Sequence, residues 1–264
     1  RRLTLNIGLR YEMATVPNEV HGQWTSLAAF SDPLPQCGTA NPALTTIGGK
    51  PGCAGVSSSF FANPSTRNFE PRFGFAWDPR GDGKTAVRGG FAIFDVLLLP
   101  GYFFHPQSTA TPFLLAGVVT NAQAPLAGIG VLADTPGSAF SKMGPNSLYG
   151  VLVESHPPRS YVEQWNINVQ RQLSASLTAT VGYIGSHGVH QLFRGDDANM
   201  VIPTKTSAGY LWPYNPTRQD LRINPKLGPD RFMLFNNDTS YHSLQVNVQK
   251  RMSHGFQFGA AYSF

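Results

Sequence analysis

Residues 68–94 read NFEPRFGFAWDPRGDGKTAVRGGFAIF, two alternating segments joined by a Gly-rich turn. In the first segment Phe69, Phe73, Phe75 and Trp77 fall on one face of an extended chain, and Glu70, Arg72, Gly74 and Ala76 on the other. In the second, Val87, Phe91 and Ile93 stand opposite Ala86, Arg88, Gly90 and Ala92. Between them Asp78-Pro79-Arg80-Gly81-Asp82-Gly83-Lys84 supplies turn chemistry: Pro presets φ, and two Gly residues accept φ > 0. The stretch predicts a β-hairpin with one strongly aromatic face and one face bearing arginine. Such an aromatic face needs either a protein core or lipid tails.

Composition narrows that choice. Charged residues make up 13% of the chain, about half the usual ~25%, whereas Gly (27), Phe (18) and Pro (21) abound. No apolar run approaches the ~18 residues of a membrane helix; the longest, around Val96 to Leu99 and Tyr102 to Phe104, is cut by Pro100 and Gly101. A net charge of +5 permits nucleic-acid binding, but the basic residues are scattered and form no stripe, so nucleic acid is not an expected partner. Cys37 and Cys53 lie in one Gly/Pro-rich stretch, which points to a loop disulfide in an oxidising compartment, with free thiols as the alternative. No CxxC or paired-His pattern calls for zinc, and neither metal nor cofactor is expected.

Taken in order, the chain repeats the alternating pattern. Residues 2–12, RLTLNIGLRYE, put Leu3, Leu5, Ile7, Leu9 and Tyr11 on one face. That is long for a soluble strand, where ~5–6 residues is the mode, and matches the ~9–11 of a tilted transmembrane strand. Further strands are expected over residues 161–173, 177–184, 243–251 and 256–264. Residues 13–67, 95–158 and 185–239 read as long connections, the second containing LLAGVVTNAQAPLAGIGVL as a short helix or packed loop. Long and short connections thus alternate, which puts three long loops at one end of the sheet and three tight turns at the other. Loops beyond ~12–15 residues are uncommon in compact domains, and this asymmetry is that of outer-membrane barrels, with short periplasmic turns and long extracellular loops.

The faces agree. Opposite the apolar band sit Asn, Gln, Thr, Ser, Gly and Arg, which suit a wet lumen. Aromatics collect toward strand ends, with Tyr11, Phe69, Tyr161 and Tyr183 assigned to the loop side and Trp77 and Phe256 to the turn side, as two interfacial girdles require. The predicted fold is all-β: a partial up-and-down antiparallel transmembrane β-barrel of about seven strands in the outer membrane of a Gram-negative cell, facing outer-membrane lipid. Bacterial single-chain barrels have even strand numbers, and an open edge in lipid leaves backbone groups unsatisfied at several kcal/mol each. Residues 1–264 are therefore expected to be a piece of a larger barrel.

Local motifs weigh little. Gly81-Asp82-Gly83-Lys84-Thr85 resembles the tail of a phosphate-binding loop, but Asp78 stands where that pattern needs Gly, so a turn is expected. Arg80-Gly81-Asp82 and the Asp78/Asp82 pair read as turn chemistry too. His187 and His190, three apart, have no third ligand in sight. Arg10, Arg72 and Arg88 share the lumen parity and are the candidate ligand-binding residues, drawing anionic ligands inward. The alternative is that they pair with Glu12, Glu70 or a missing plug. No nucleophile, base and orienting group can be assembled, so an enzyme is not expected.

LNIGLRYE, NFEPRFGFAWDPRGDGKTAVRGGFAIF, VEQWNINVQRQL with TVGYIGSHG, and YHSLQVNVQKRMSHGFQFGAAYSF resemble, in that order, the barrel of Oar-like TonB-dependent outer-membrane receptors. The resemblance touches all seven strands. It implies a receptor of about 22 strands with a plugged lumen, taking up an unidentified ligand and engaging the TonB complex through the plug. Neither plug nor TonB box lies in residues 1–264. A passive porin or surface adhesin barrel, and a secreted carbohydrate-binding β-sandwich, are the alternatives.

Overall fold

A strand that alternates apolar and polar side chains has two different faces, and which solvent each face meets decides the architecture. The structure, a computed structural model, describes residues 2–17, 25–27, 29–31, 36–37, 46–47, 50–51, 61–62, 65–97, 101, 110, 149–213 and 219–264. Eight strands form its main sheet: β1 (Leu3–Tyr11), β2 (Phe69–Trp77), β3 (Thr85–Asp95), β4 (Gly150–Val153), β5 (Tyr161–Gln172), β6 (Leu177–Gly195), β7 (Asp230–Ser253) and β8 (Phe256–Ser263). All but β4 form one antiparallel run in the order β1-β2-β3-β5-β6-β7-β8, and β4 lies parallel beside the start of β7. The seven expected strands are thus present as an up-and-down meander.

Register shows that the strands lean. Leu5, Phe75, Gly89, Ile167 and Tyr183 form one row across the sheet. Phe75 stands two residues inside the turn end of β2, Gly89 four inside that of β3, Ile167 five inside that of β5, and Tyr183 six inside that of β6. Four residues of stagger over three strand steps, at roughly 3.3 Å per residue and 4.8 Å per step, give a tilt of roughly 40°. Outer-membrane barrels tilt their strands by about that much.

The apolar rows lie open. Leu3, Leu5, Ile7, Leu9 and Tyr11 are exposed, Ile7 at 76%, as are Phe69, Phe73 and Trp77. Among the described residues no second sheet or helix layer covers them. Where glycine falls on this outer face, an aromatic side chain from the facing residue fills its place. A Cβ on Gly89 would meet the Phe75 ring at 2.6 Å, and one on Gly185 would meet the Trp165 indole at 2.4 Å. Both are direct cross-strand partners, so the missing side chain lets the ring lie flat over the neighbouring backbone.

Turn chemistry at the short-connection end follows the sequence. The Asp78 carboxylate accepts the backbone N–H groups of Arg80 (3.3 Å), Gly81 (2.8 Å) and Gly83 (2.8 Å). Gly81 and Gly83 sit at φ 70° and 69°, a region that favours glycine. These bonds, Gly83's foremost, hold the Asp78 carboxyl below its usual range.

At the other end the structure departs from the sequence reading. β6 runs to Gly195 instead of residue 184, and β7 starts at Asp230 instead of residue 243, so much of the expected connection over 185–239 is strand. A membrane strand needs only ~9–11 residues; the loop-side halves of β6 and β7, 19 and 24 residues long, therefore stand beyond the bilayer. Register shifts between Gly188 and Gln191 and between Gln191 and Phe193 break the alternation there. His187 and His190, placed at a strand exit by sequence, lie within β6, and Tyr183 lies six residues from its turn end instead of at the loop-side rim.

Above the bilayer the chain builds a conventional core. Phe61, Ala110, Val151, Val153, Met233 and Phe235 are buried together, and Leu27, Leu152 and Leu227 form a second cluster. β4, inside the expected connection over 95–158, alternates Val151 and Val153 with Leu152, and each parity feeds one cluster. The helix or packed loop expected over 114–132 lies outside the described residues.

Candidate functional site

Opposite the apolar rows, the inner face of the sheet collects the polar side chains. Pairing sets them in rows: Arg88, Asn168, Gly182 and Gln245 in one, and Gln170, Thr180 and Asn247 beside it. The three lumen arginines lie on this face, and their surroundings differ.

Arg10 and Arg72 belong to a network near the loop end. Arg10 pairs with Glu12, and its Nε lies 4.0 Å from Glu70 Oε2. Arg72 Nη2 donates to Glu70 Oε2 at 3.0 Å while its guanidinium covers the Phe94 ring at 4.9 Å. Glu70 is the hub: only 1% exposed, it also accepts the Asp95 backbone N–H through Oε1 at 3.1 Å. Arg159 then closes the rim, donating from Nε to Asp95 Oδ1 at 2.6 Å and from Nη2 to the Phe69 carbonyl at 3.0 Å. Three cations thus meet three carboxylates, Glu12, Glu70 and Asp95, and the region is neutral.

Arg88 stands apart. Its Nη1 donates to Gln170 Oε1 at 2.7 Å, and among the described residues no carboxylate lies within ion-pair distance. The amide orients the guanidinium, whose charge no carboxylate compensates among the described residues. Next to it Asn166, Asn168, Thr180, Gln245 and Asn247 line a groove of about 290 Å³, with Gly182 leaving its middle open. Chemically the face offers the Arg88 cation, neutral donors and acceptors and the apolar side chain of Ile184, with Arg251 a further exposed cation of the same parity toward the turn end of β7.

The remaining candidates scatter. His187 Nδ1 lies 3.9 Å from Glu163 Oε2 on the outer face, and His190 Nδ1 3.2 Å from the Arg159 carbonyl oxygen. The two histidines share no site, and among the described residues no group of three His, Cys, Asp or Glu is placed to hold a metal ion. Cys37 belongs by its backbone to a two-residue ribbon with Thr25–Ser26. Cys53 lies outside the described residues, and with it the expected disulfide. Glu70 was legible as the partner of Arg72, two residues along the same face. Asp95 and Arg159 were not, because residues 64 apart meet only through the register of β3 and β5.

Three solved structures align with part of the chain. The siderophore receptor PirA from Pseudomonas aeruginosa is 10% identical with a TM-score of 0.40; the match covers 75% of this chain and 28% of that one. The outer membrane transporter YddB from Escherichia coli is 11% identical with a TM-score of 0.39, covering 69% and 17%. The FrpB iron transporter from Neisseria meningitidis is 10% identical with a TM-score of 0.31, covering 74% and 19%. The chain thus spans less than a third of the length of each. No curated protein sequence matches it. The family profile described as an outer membrane beta barrel domain matches residues 1–264, in agreement with the tilted meander, the exposed apolar rows and the polar inner face. The chain belongs to the outer membrane β-barrel domain family.

Proposed function

We propose that residues 1–264 are part of the barrel of a TonB-dependent, Oar-like receptor that takes a ligand up across the outer membrane. One observation carries the reading: a single-layer sheet whose outer face presents exposed apolar rows and whose inner face collects amides and arginines. A wall of this kind separates lipid from a wet interior large enough to hold a ligand or a plug. In the intact receptor a plug domain and further strands complete the barrel, and the plug region engages the TonB complex. Arg10, Arg72 and Arg88 face the ligand path, with Arg88 the one whose charge is available. Cys37 and Cys53 form a disulfide that staples the first long loop.

The test uses the full-length protein in planar bilayers and with the periplasmic domain of TonB. A plugged receptor retains TonB and shows no steady conductance. Steady conductance with no retention of TonB assigns the barrel to a passive porin instead.

A further inference from the structure

We propose that the turn end of this sheet is a binding surface for anionic phospholipid headgroups of the leaflet on that side, with Arg171 and Lys250 as its outward contacts. The inference goes beyond the receptor reading and does not depend on it; it needs only the barrel wall.

Charge is unevenly spread along this arc of the wall. At the turn end Arg2, Arg80, Lys84, Arg171, Lys250 and Arg251 stand against two carboxylates, Asp78 and Asp82. Elsewhere the described cations and carboxylates nearly balance. Both turn carboxylates are engaged by backbone: Asp78 accepts three N–H groups, and Asp82 accepts that of Lys84 at 2.9 Å. Among the described residues no carboxylate lies within ion-pair distance of any of the six cations. Backbone bonds also tie the turns into one rim. The Asp78 N–H donates to the Arg2 carbonyl, the Gln172 N–H to that of Lys84 and the Arg251 N–H to that of Ser176, each at 2.8 Å. A cation stands at every one of these seams, so the charge is fixed along a single edge and its field adds up.

Arg171 and Lys250 belong to the lipid side of that edge. Thr85, Arg171, Ala179 and Val248 form one row with the parity of the exposed Val169 and Val181, and Lys250 stands in the next row toward the turns, between Leu177 and Phe258. Neutral acceptors orient both. Arg171 Nη1 donates to the Thr85 hydroxyl, and Lys250 Nζ to the carbonyls of Ser253 and Phe256 at 3.0 Å. A guanidinium has five donors and an ammonium three, so each keeps donors for a phosphate. Trp77, Leu173, Met252 and Phe256 are exposed around them, the mixture of cations, rings and apolar side chains that suits the boundary between lipid tails and headgroups.

Two features select an anionic lipid. A zwitterionic headgroup brings an ammonium along with its phosphate, and these outward rows offer no carboxylate to receive it. An acidic soluble protein reaches the turn tips, but the outward rows abut the apolar surface that the bilayer covers.

Spin-labelled phosphatidylglycerol and spin-labelled phosphatidylcholine, each added in trace to phosphatidylcholine liposomes holding the full-length protein, test the proposal. Electron spin resonance reads the fraction of each label immobilised at the protein surface. Phosphatidylglycerol is expected to be enriched about fivefold, the effect of one basic residue at an anionic surface, and salt at about 0.5 M to remove most of that preference. Arg171→Gln combined with Lys250→Gln brings the two labels near parity while circular dichroism stays that of the parent. Arg80→Gln combined with Lys84→Gln, in an exposed turn that tolerates the change, lowers the preference in part. Arg194→Gln combined with Lys205→Gln, at the loop end, leaves it unchanged. Equal fractions of the two labels, a preference that survives salt, no effect of either turn-end pair, or an equal loss with the loop-end pair overturns the surface. Retention of polyglutamate without any lipid preference overturns it too, and assigns the charge to an acidic protein partner.

Discussion

The carboxylate of Asp230 accepts the backbone N–H of Gly150 at 3.0 Å, and this bond fastens the start of β4 to the start of β7. Asp230 is fully buried, its Oδ2 has no partner, and a Cβ on Gly150 would meet Oδ1 at 2.2 Å. The joint sits beyond the bilayer and aligns the strands that feed both small core clusters.

The joint makes the extracellular core sensitive to pH. Burial, and after it the nearby charge of Asp197, raise the Asp230 carboxyl from 3.8 to about 7, against the Gly150 bond and the Arg222 charge, which lower it. A carboxyl raised on folding favours the protonated folded state. Stability is therefore highest below about pH 4, declines as pH rises toward 7, and is lowest above it, by up to about 4 kcal/mol. Limited proteolysis between pH 5 and 8 is expected to cut the β6–β7 region faster at the higher pH. Asp230→Asn keeps an acceptor for Gly150 and flattens the profile; a profile unchanged in this variant would refute the assignment.

Ile7 points from the middle of an exposed apolar row. Ile7→Arg is expected to cost about 2–4 kcal/mol of stability in liposomes, the price of a cation on a lipid-facing barrel position. Asn6→Arg, one residue away on the wet face, is expected to cost far less. Urea unfolding of the two variants reports the difference, and equal losses would contradict the two-faced sheet.

Gly185 leaves room for the Trp165 ring. Gly185→Ala forces the indole off the sheet and costs about 1–3 kcal/mol as an overpacked contact. Trp165 emission is expected to shift with it, whereas Gly259→Ala, with nothing within 4 Å of the added carbon, leaves both stability and spectrum near the parent values.

Glu70→Gln keeps the shape of the hub and removes its charge. Arg72 and Arg10 then lose their shared carboxylate, and the rim is expected to weaken by about 1–3 kcal/mol. Hydrogen exchange at the Asp95 amide, which donates to Glu70, is the direct readout, and it speeds up if the hub holds the rim closed.

Alternation along Leu3–Tyr11, Phe69–Trp77 and Tyr161–Gln172 was enough to find those strands and assign their faces, because lipid on one side and water on the other impose a strict period of two. Arg72 and Glu70 could be matched for the same reason: residues two apart share a face. The long halves of β6 and β7 escaped that reading. Beyond the bilayer both faces meet water or protein, register shifts near Gln191 interrupt the period, and nothing in the local sequence marks a strand. Likewise β4, the Asp230 joint, the Asp95–Arg159 pair and the isolation of Arg88 depend on which distant strands become neighbours. Residues 1–264 by themselves determined a barrel wall with a greasy and a wet side; only the register of the assembled sheet decided which charges are neutralised, since pairing is set by separations across strands that the order of residues does not contain.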